Sequence, residues 1–151
     1  MKKSFTLFLA VLMILSLLPV QAFAADSTVT YDDDGGYTVV TIEKDPQNVT
    51  RAGNTVSGSA KYEYFSADGD LQWKIVLHAT FTYNGSTSSC TSVNSLTVKV
   101  YDDGWSLDSK SYSKSGNTAT GNVTMAKKLL VGSGKVPITL TLSCDKNGNL
   151  S

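Results

Sequence analysis

The chain holds one histidine, His78, two cysteines, Cys90 and Cys144, and one run of three carboxylates, Asp32-Asp33-Asp34. These are the side chains whose types and spacing could do chemistry. As a general base, His78 needs a nucleophilic hydroxyl on one ring nitrogen and an orienting carboxylate on the other. No Gly-x-Ser-x-Gly elbow offers such a serine. His78 also falls in the polar phase of an alternating run, which places it in solvent.

The carboxylate run suggests a calcium loop, with Glu43 eleven residues after Asp32. The sharp bend of such a loop needs glycine at the sixth position, where Tyr37 stands. Tyr37–Glu43 also has strand character, so these oxygens are expected in a turn rather than around an ion. Asp145-Lys146-Asn147-Gly148-Asn149 opens like an oxygen-ligand loop, and Asp68 and Asp70 flank a glycine. Both have turn chemistry. Glycoside hydrolysis needs one carboxyl raised by apolar surroundings, and no carboxylate stands within an apolar run. Two cysteines and one histidine do not fill a structural zinc site without carboxylates. The expectation is no metal, no cofactor and no catalysis.

Aromatic side chains are the softer signal. Tyr101, Trp105 and Tyr112 are the candidate ligand contacts, because an exposed ring on a sheet stacks on a sugar or anchors a partner protein. Cross-strand pairing on the surface is the bland alternative for the tyrosines, and a core plug for Trp105. Asn48-Val49-Thr50, Asn84-Gly85-Ser86 and Asn122-Val123-Thr124 match the glycosylation sequon. In a bacterial setting they are coincidence.

The first residues supply the compartment. Met1-Lys2-Lys3 is a positive start, Phe5–Leu18 is apolar, Pro19 breaks the run, and Ala22-Phe23-Ala24 gives small residues for cleavage. This predicts a signal peptide over 1–24. The apolar run is shorter than the ~20 residues a spanning helix requires. The processed product, 25–151, is expected to be secreted, without stable membrane insertion. Without Lys2 and Lys3 its net charge becomes −2, and Arg51 is its only arginine. Nucleic-acid binding needs clustered basic residues, so it is not expected. Export also favours pairing of Cys90 with Cys144. Closing so long a loop stabilises by roughly 4 kcal/mol.

These groups must be positioned by strands. Leu71–Asn84 alternates apolar and polar residues throughout and predicts a half-buried strand. Shorter runs with the same period occur at 37–43, 56–65, 96–101, 118–125 and 136–144, with a weaker one at 105–113. Turn residues separate them about every ten positions. No helical stripe appears outside the signal peptide. The pattern predicts an all-β immunoglobulin-like sandwich of seven to eight antiparallel strands. One domain is expected over 37–151, preceded by a flexible or loosely paired leader over 25–36. Cys90 is expected in the connection between 85 and 95.

The C-terminal half, with Thr82-Tyr83-Asn84-Gly85-Ser86-Thr87, Gly104-Trp105, Ser115-Gly116-Asn117-Thr118-Ala119 and Leu140 to Ser151, resembles small uncharacterised secreted proteins of Gram-positive, clostridia-like bacteria. The resemblance spans about 80–151. It implies a paired Cys90 and Cys144 and a C-terminal strand, and it carries no activity. The sequence leads to a secreted, non-enzymatic binding domain acting at the cell envelope or on an extracellular protein or glycan. A carbohydrate-binding module and a secreted toxin or antimicrobial protein are the alternatives.

Overall fold

The computed structural model describes residues 26–46, 54–129 and 132–151. The expected signal peptide lies outside them. Among the described residues no helix is long and apolar enough to cross a membrane. The chain forms β1 (Asp26–Tyr31), β2 (Tyr37–Lys44), β3 (Thr55–Phe65), β4 (Leu71–Tyr83), β5 (Ser88–Val100), β6 (Trp105–Ser115), β7 (Thr118–Lys128) and β8 (Ser133–Ser143). All pairs are antiparallel. Strands β1 to β5 make one sheet and β6 to β8 the other, each in sequential order. This is the predicted all-β two-sheet sandwich, with hairpins within each sheet and one crossing between sheets from β5 to β6.

Period-two patterning decides which side chains meet between the sheets. On β4, Trp73, Ile75, Leu77, Ala79 and Phe81 are buried, facing Val56 and Ala60 of β3 and Leu96 of β5. The opposing sheet contributes Ala119, Val123 and Met125 from β7, and Ile138, Leu140 and Leu142 from β8. Each large side chain taken fully out of water contributes about 1.5–3 kcal/mol.

Three expectations change. The leader contains a strand: β1 pairs with β2 from Asp26–Ile42 to Tyr31–Tyr37. Its Ser, Thr and Val residues suit an edge strand but bury too little to stand out as a pattern. Strand β5 begins at Ser88, so Cys90 lies within it rather than in a connection. Register shifts after His78 and after Thr80 interrupt the ladder between β4 and β5, which breaks the alternation that reveals a strand. Finally, the predicted disulfide is not formed. Cys90 and Cys144 are both buried free thiols. They face the core from different sheets, and burial pushes both thiols above their usual range.

Two devices close the sandwich. On one flank, Lys110 of β6 donates to the Leu96 carbonyl of β5 at 3.0 Å, and Lys114 donates to that of Thr91. At the other flank the C-terminal segment folds back: Cys144 pairs with Leu150, and Ser143 exchanges backbone hydrogen bonds with Ser151. Leu150 then sits against Gly58, where a Cβ would collide with it and with the Glu43 carbonyl.

Candidate functional site

Two hairpin turns and the β5–β6 crossing turn meet at one end of the sandwich, and each is set by its own residue types. In the β1–β2 turn, the Asp32 carboxylate accepts the Asp34 N–H at 3.1 Å, and Gly35 takes φ +84. In the β3–β4 turn, Ser66 Oγ accepts the Asp70 N–H at 3.1 Å, and Gly69 takes φ +87. In the β5–β6 turn, Asp102 Oδ1 accepts the Gly104 N–H at 2.9 Å. Short Asp and Ser side chains bond their own backbone two to four residues on, and glycine supplies positive φ.

Between these turns and the end of β7 lies a cleft of about 220 Å³, lined by Asp34, Tyr64, Gln72, Asp102, Trp105 and Lys127 among others. Its two aromatic lining residues, Tyr64 and Trp105, belong to a larger aromatic cluster beneath it. Tyr62 and Tyr64 stack on Trp73 at 5.5 and 5.3 Å, and Trp105 meets Tyr64 and Trp73 edge-on at 5.5 and 5.8 Å. The buried Trp73 indole N–H has no acceptor among the described residues. The Lys127 ammonium lies 5.6 Å from the Trp105 ring centre, a cation–π arrangement.

Tyr64 is latched in place. Its hydroxyl donates to Asp32 Oδ2 at 2.9 Å. Burial first, then this hydrogen bond and the Asp32 charge, push its pKa up to about 12. Gly36 makes the latch possible: a Cβ there would lie 2.6 Å from the Tyr64 hydroxyl and 2.8 Å from Asp32 Oδ2.

Of the three predicted contact aromatics, only Trp105 reaches this cleft, and it is 8 % exposed, mainly a core residue. Tyr101 is 48 % exposed, with the Lys99 ammonium 4.8 Å from its ring centre. Tyr112 is 58 % exposed, opposite Gly121 on β7. They form no common strip. Sequence reasoning missed Tyr64, whose place in the buried phase of β3 conceals that its hydroxyl reaches the turn. It also missed the row of Tyr31, Tyr37 and Phe65 on the outer face of the larger sheet, with ring centres 5.6 and 4.9 Å apart. The Tyr37 and Phe65 planes are 8° from parallel, so each covers a face of the other.

His78 differs from expectation as well. Its side chain is 28 % exposed, and both ring nitrogens are engaged. Nε2 lies 2.7 Å from Asp45 Oδ2, and the Asn94 amide nitrogen lies 3.0 Å from Nδ1. Asn94 also donates to Thr80 Oγ1 at 2.8 Å and accepts from Ser92 Oγ at 2.5 Å. This network assigns the proton to Nε2 and leaves Nδ1 an acceptor. Since Asn94 fills Nδ1, no hydroxyl is poised there as a nucleophile. Among the described residues, no three His, Cys, Asp or Glu side chains are grouped to hold a metal ion.

No protein-family model matches the chain, and no curated protein matches it. One similar solved structure is the hypothetical protein lmo2686 from Listeria monocytogenes EGD-e, 15 % identical, with a TM-score of 0.47. The match covers 88 % of this chain and 96 % of that one.

Proposed function

We propose that this chain is an exported, non-enzymatic recognition domain whose loop-end cleft takes one unit of a saccharide. The observation that carries the reading is the mixed lining of the cleft. A sugar ring presents apolar C–H surface and a rim of hydroxyls. Tyr64 and Trp105 supply the apolar floor, Asp34, Asp102 and Gln72 supply acceptors, and Lys127 supplies a donor. A few convergent polar groups over an aromatic floor are the usual make-up of a small-ligand site. The small volume favours a single sugar unit over an extended chain. The internally hydrogen-bonded turns hold these groups in place before any ligand arrives, which lowers the ordering cost of binding.

Export is supported by the signal-peptide pattern over 1–24. The non-catalytic reading is supported by the closed hydrogen bonding around His78. A binding screen against glycans and cell-envelope fractions, followed by calorimetry on any hit, tests the proposal. Gln72→Ala and Lys127→Ala should each weaken binding by about tenfold, the worth of one hydrogen bond to the ligand, without moving the unfolding midpoint by more than surface substitutions do. A folded protein that binds no glycan, or a hit that both substitutions leave unchanged, would refute it. N-terminal mass analysis of protein in the medium tests export separately, with Ala25 as the expected first residue.

A further inference from the structure

We infer that β1 is a self-association edge, through which two copies of the chain pair antiparallel and join their larger sheets into one. The inference stands apart from the cleft. A sandwich of two open sheets has four edge strands, and an edge with unpaired N–H and C=O groups is a template for another strand. Three of these edges are guarded. Strand β5 is stitched to the other sheet: its Cys90 N–H donates to the Gly116 carbonyl, and its Leu96 and Thr91 carbonyls accept from Lys110 and Lys114. Strand β6 carries those two lysines and a register shift between Leu107 and Ser109. In β8, Ser143 bonds outward to the C-terminal segment. By alternation Pro137 then falls in the same outward phase, where it has no N–H to offer.

Among the described residues, none guards strand β1 in this way along Ser27–Tyr31. Asp32 donates its N–H to the Gly36 carbonyl at 2.9 Å, in register with the Tyr31–Tyr37 pair. Alternation therefore turns Thr28 and Thr30 toward β2 and points the backbone groups of Ser27, Val29 and Tyr31 away from the sheet. On the outer face Val29 is 49 % and Tyr31 73 % exposed.

The occupant is a second copy because this segment is complementary to itself. A two-fold axis through Val29 sets Val29 against Val29, and Ser27 against Tyr31 of the other copy. All three outward residues then exchange bonds in pairs, about six hydrogen bonds in all. Thr28 meets Thr30 on the other face. No charged residue lies within Ser27–Tyr31, so no like charges oppose each other. The contact is isologous and closes at two copies. With one short strand at its centre it is a small interface, so the dimer is weak and reversible.

Sedimentation velocity across a concentration series, on protein purified as the cell makes it, should show a monomer–dimer equilibrium. Val29→Lys opposes two ammonium groups at the axis and should raise the dissociation constant by about tenfold or more. Its unfolding midpoint, measured at a dilution where the parent is monomeric, should stay at the parent value because the side chain faces solvent. Val29→Cys should be captured as a covalent dimer under mild oxidation, while Val136→Cys on the guarded β8 should not. A monomer at every concentration with no capture of Val29→Cys overturns the inference. So does a dimer that Val29→Lys leaves intact, capture of a different protein in place of a second copy, or assembly beyond two copies.

Discussion

Cys90 and Cys144 donate their backbone N–H groups to neighbouring carbonyls of a single turn, Cys90 to Gly116 at 2.8 Å and Cys144 to Asn117 at 3.1 Å. The β6–β7 turn thus joins the start of β5 to the end of β8 without a covalent bridge. The Asn117 amide adds a bond to the Cys144 carbonyl at 2.7 Å, and Ser88 Oγ adds another at 2.6 Å.

Two thiols are therefore expected on titration of the denatured protein without reductant, and little reaction in the folded state. Burial keeps both thiols protonated above their usual range, and the thiolate is the reactive form. Because the folded-state values are raised, the folded chain keeps protons that the unfolded chain loses. Stability present below the unfolded thiol value, about 8.5, should decline as pH rises through it. No free thiol after denaturation would show that a bridge forms in solution.

Tyr64→Phe should lower stability at neutral pH by about 1 kcal/mol, through loss of the bond to Asp32. It should also change the alkaline limb. Tyr64 keeps its proton up to about 12, against the ordinary 10.0. Between those values the unfolded chain has released a proton that the folded chain retains, so stability falls as pH rises from 10 toward 12. Urea unfolding of both proteins across that window should show a shallower decline for the variant. Parallel curves would mean that Tyr64 does not carry the slope.

His78→Ala should cost about 1 kcal/mol, because it removes the bonds to Asp45 and Asn94 while leaving both open to water. Combining it with Asp45→Ala should cost less than the two single losses added together, since both remove the same bond. Strict additivity in a denaturation cycle would show that the two side chains do not interact.

Gly58→Ala should destabilise by about 1–3 kcal/mol, since the methyl group meets Leu150 and the Glu43 carbonyl. Leu150→Ala should partly rescue it by opening the space. A neutral Gly58→Ala would place the C-terminal segment elsewhere.

How far the chain was legible depends on burial. The fourteen-residue alternation at 71–84 matches β4 nearly end to end, because Trp73, Ile75, Leu77, Ala79 and Phe81 all enter the core. Strands β3, β7 and β8 were visible for the same reason. Strand β1 and the first half of β5 were not: one is an exposed edge, and the other carries two register shifts in a Ser/Thr-rich run. Exposure of an aromatic cannot be read from phase alone. Trp105 follows a turn, as a loop anchor does, yet packs on Trp73. The cleft depends on three turns distant in sequence, a juxtaposition that only strand order creates. The His78 network escaped notice because Asp45 lies 33 residues away and meets the ring across the sheet.

The seat of the C-terminal segment also sets an order of events in time. The Lys44 ammonium donates to the Gly148 carbonyl, 104 residues further along the chain, and Leu150 fills the space over Gly58. Neither contact can form until synthesis has passed Gly148 and Leu150. Hairpins closed by nearby residues, such as β3–β4, can assemble and dissolve before that point. The seat over Gly58 is therefore a late event, and the part of the chain made first waits with that side of its larger sheet uncovered.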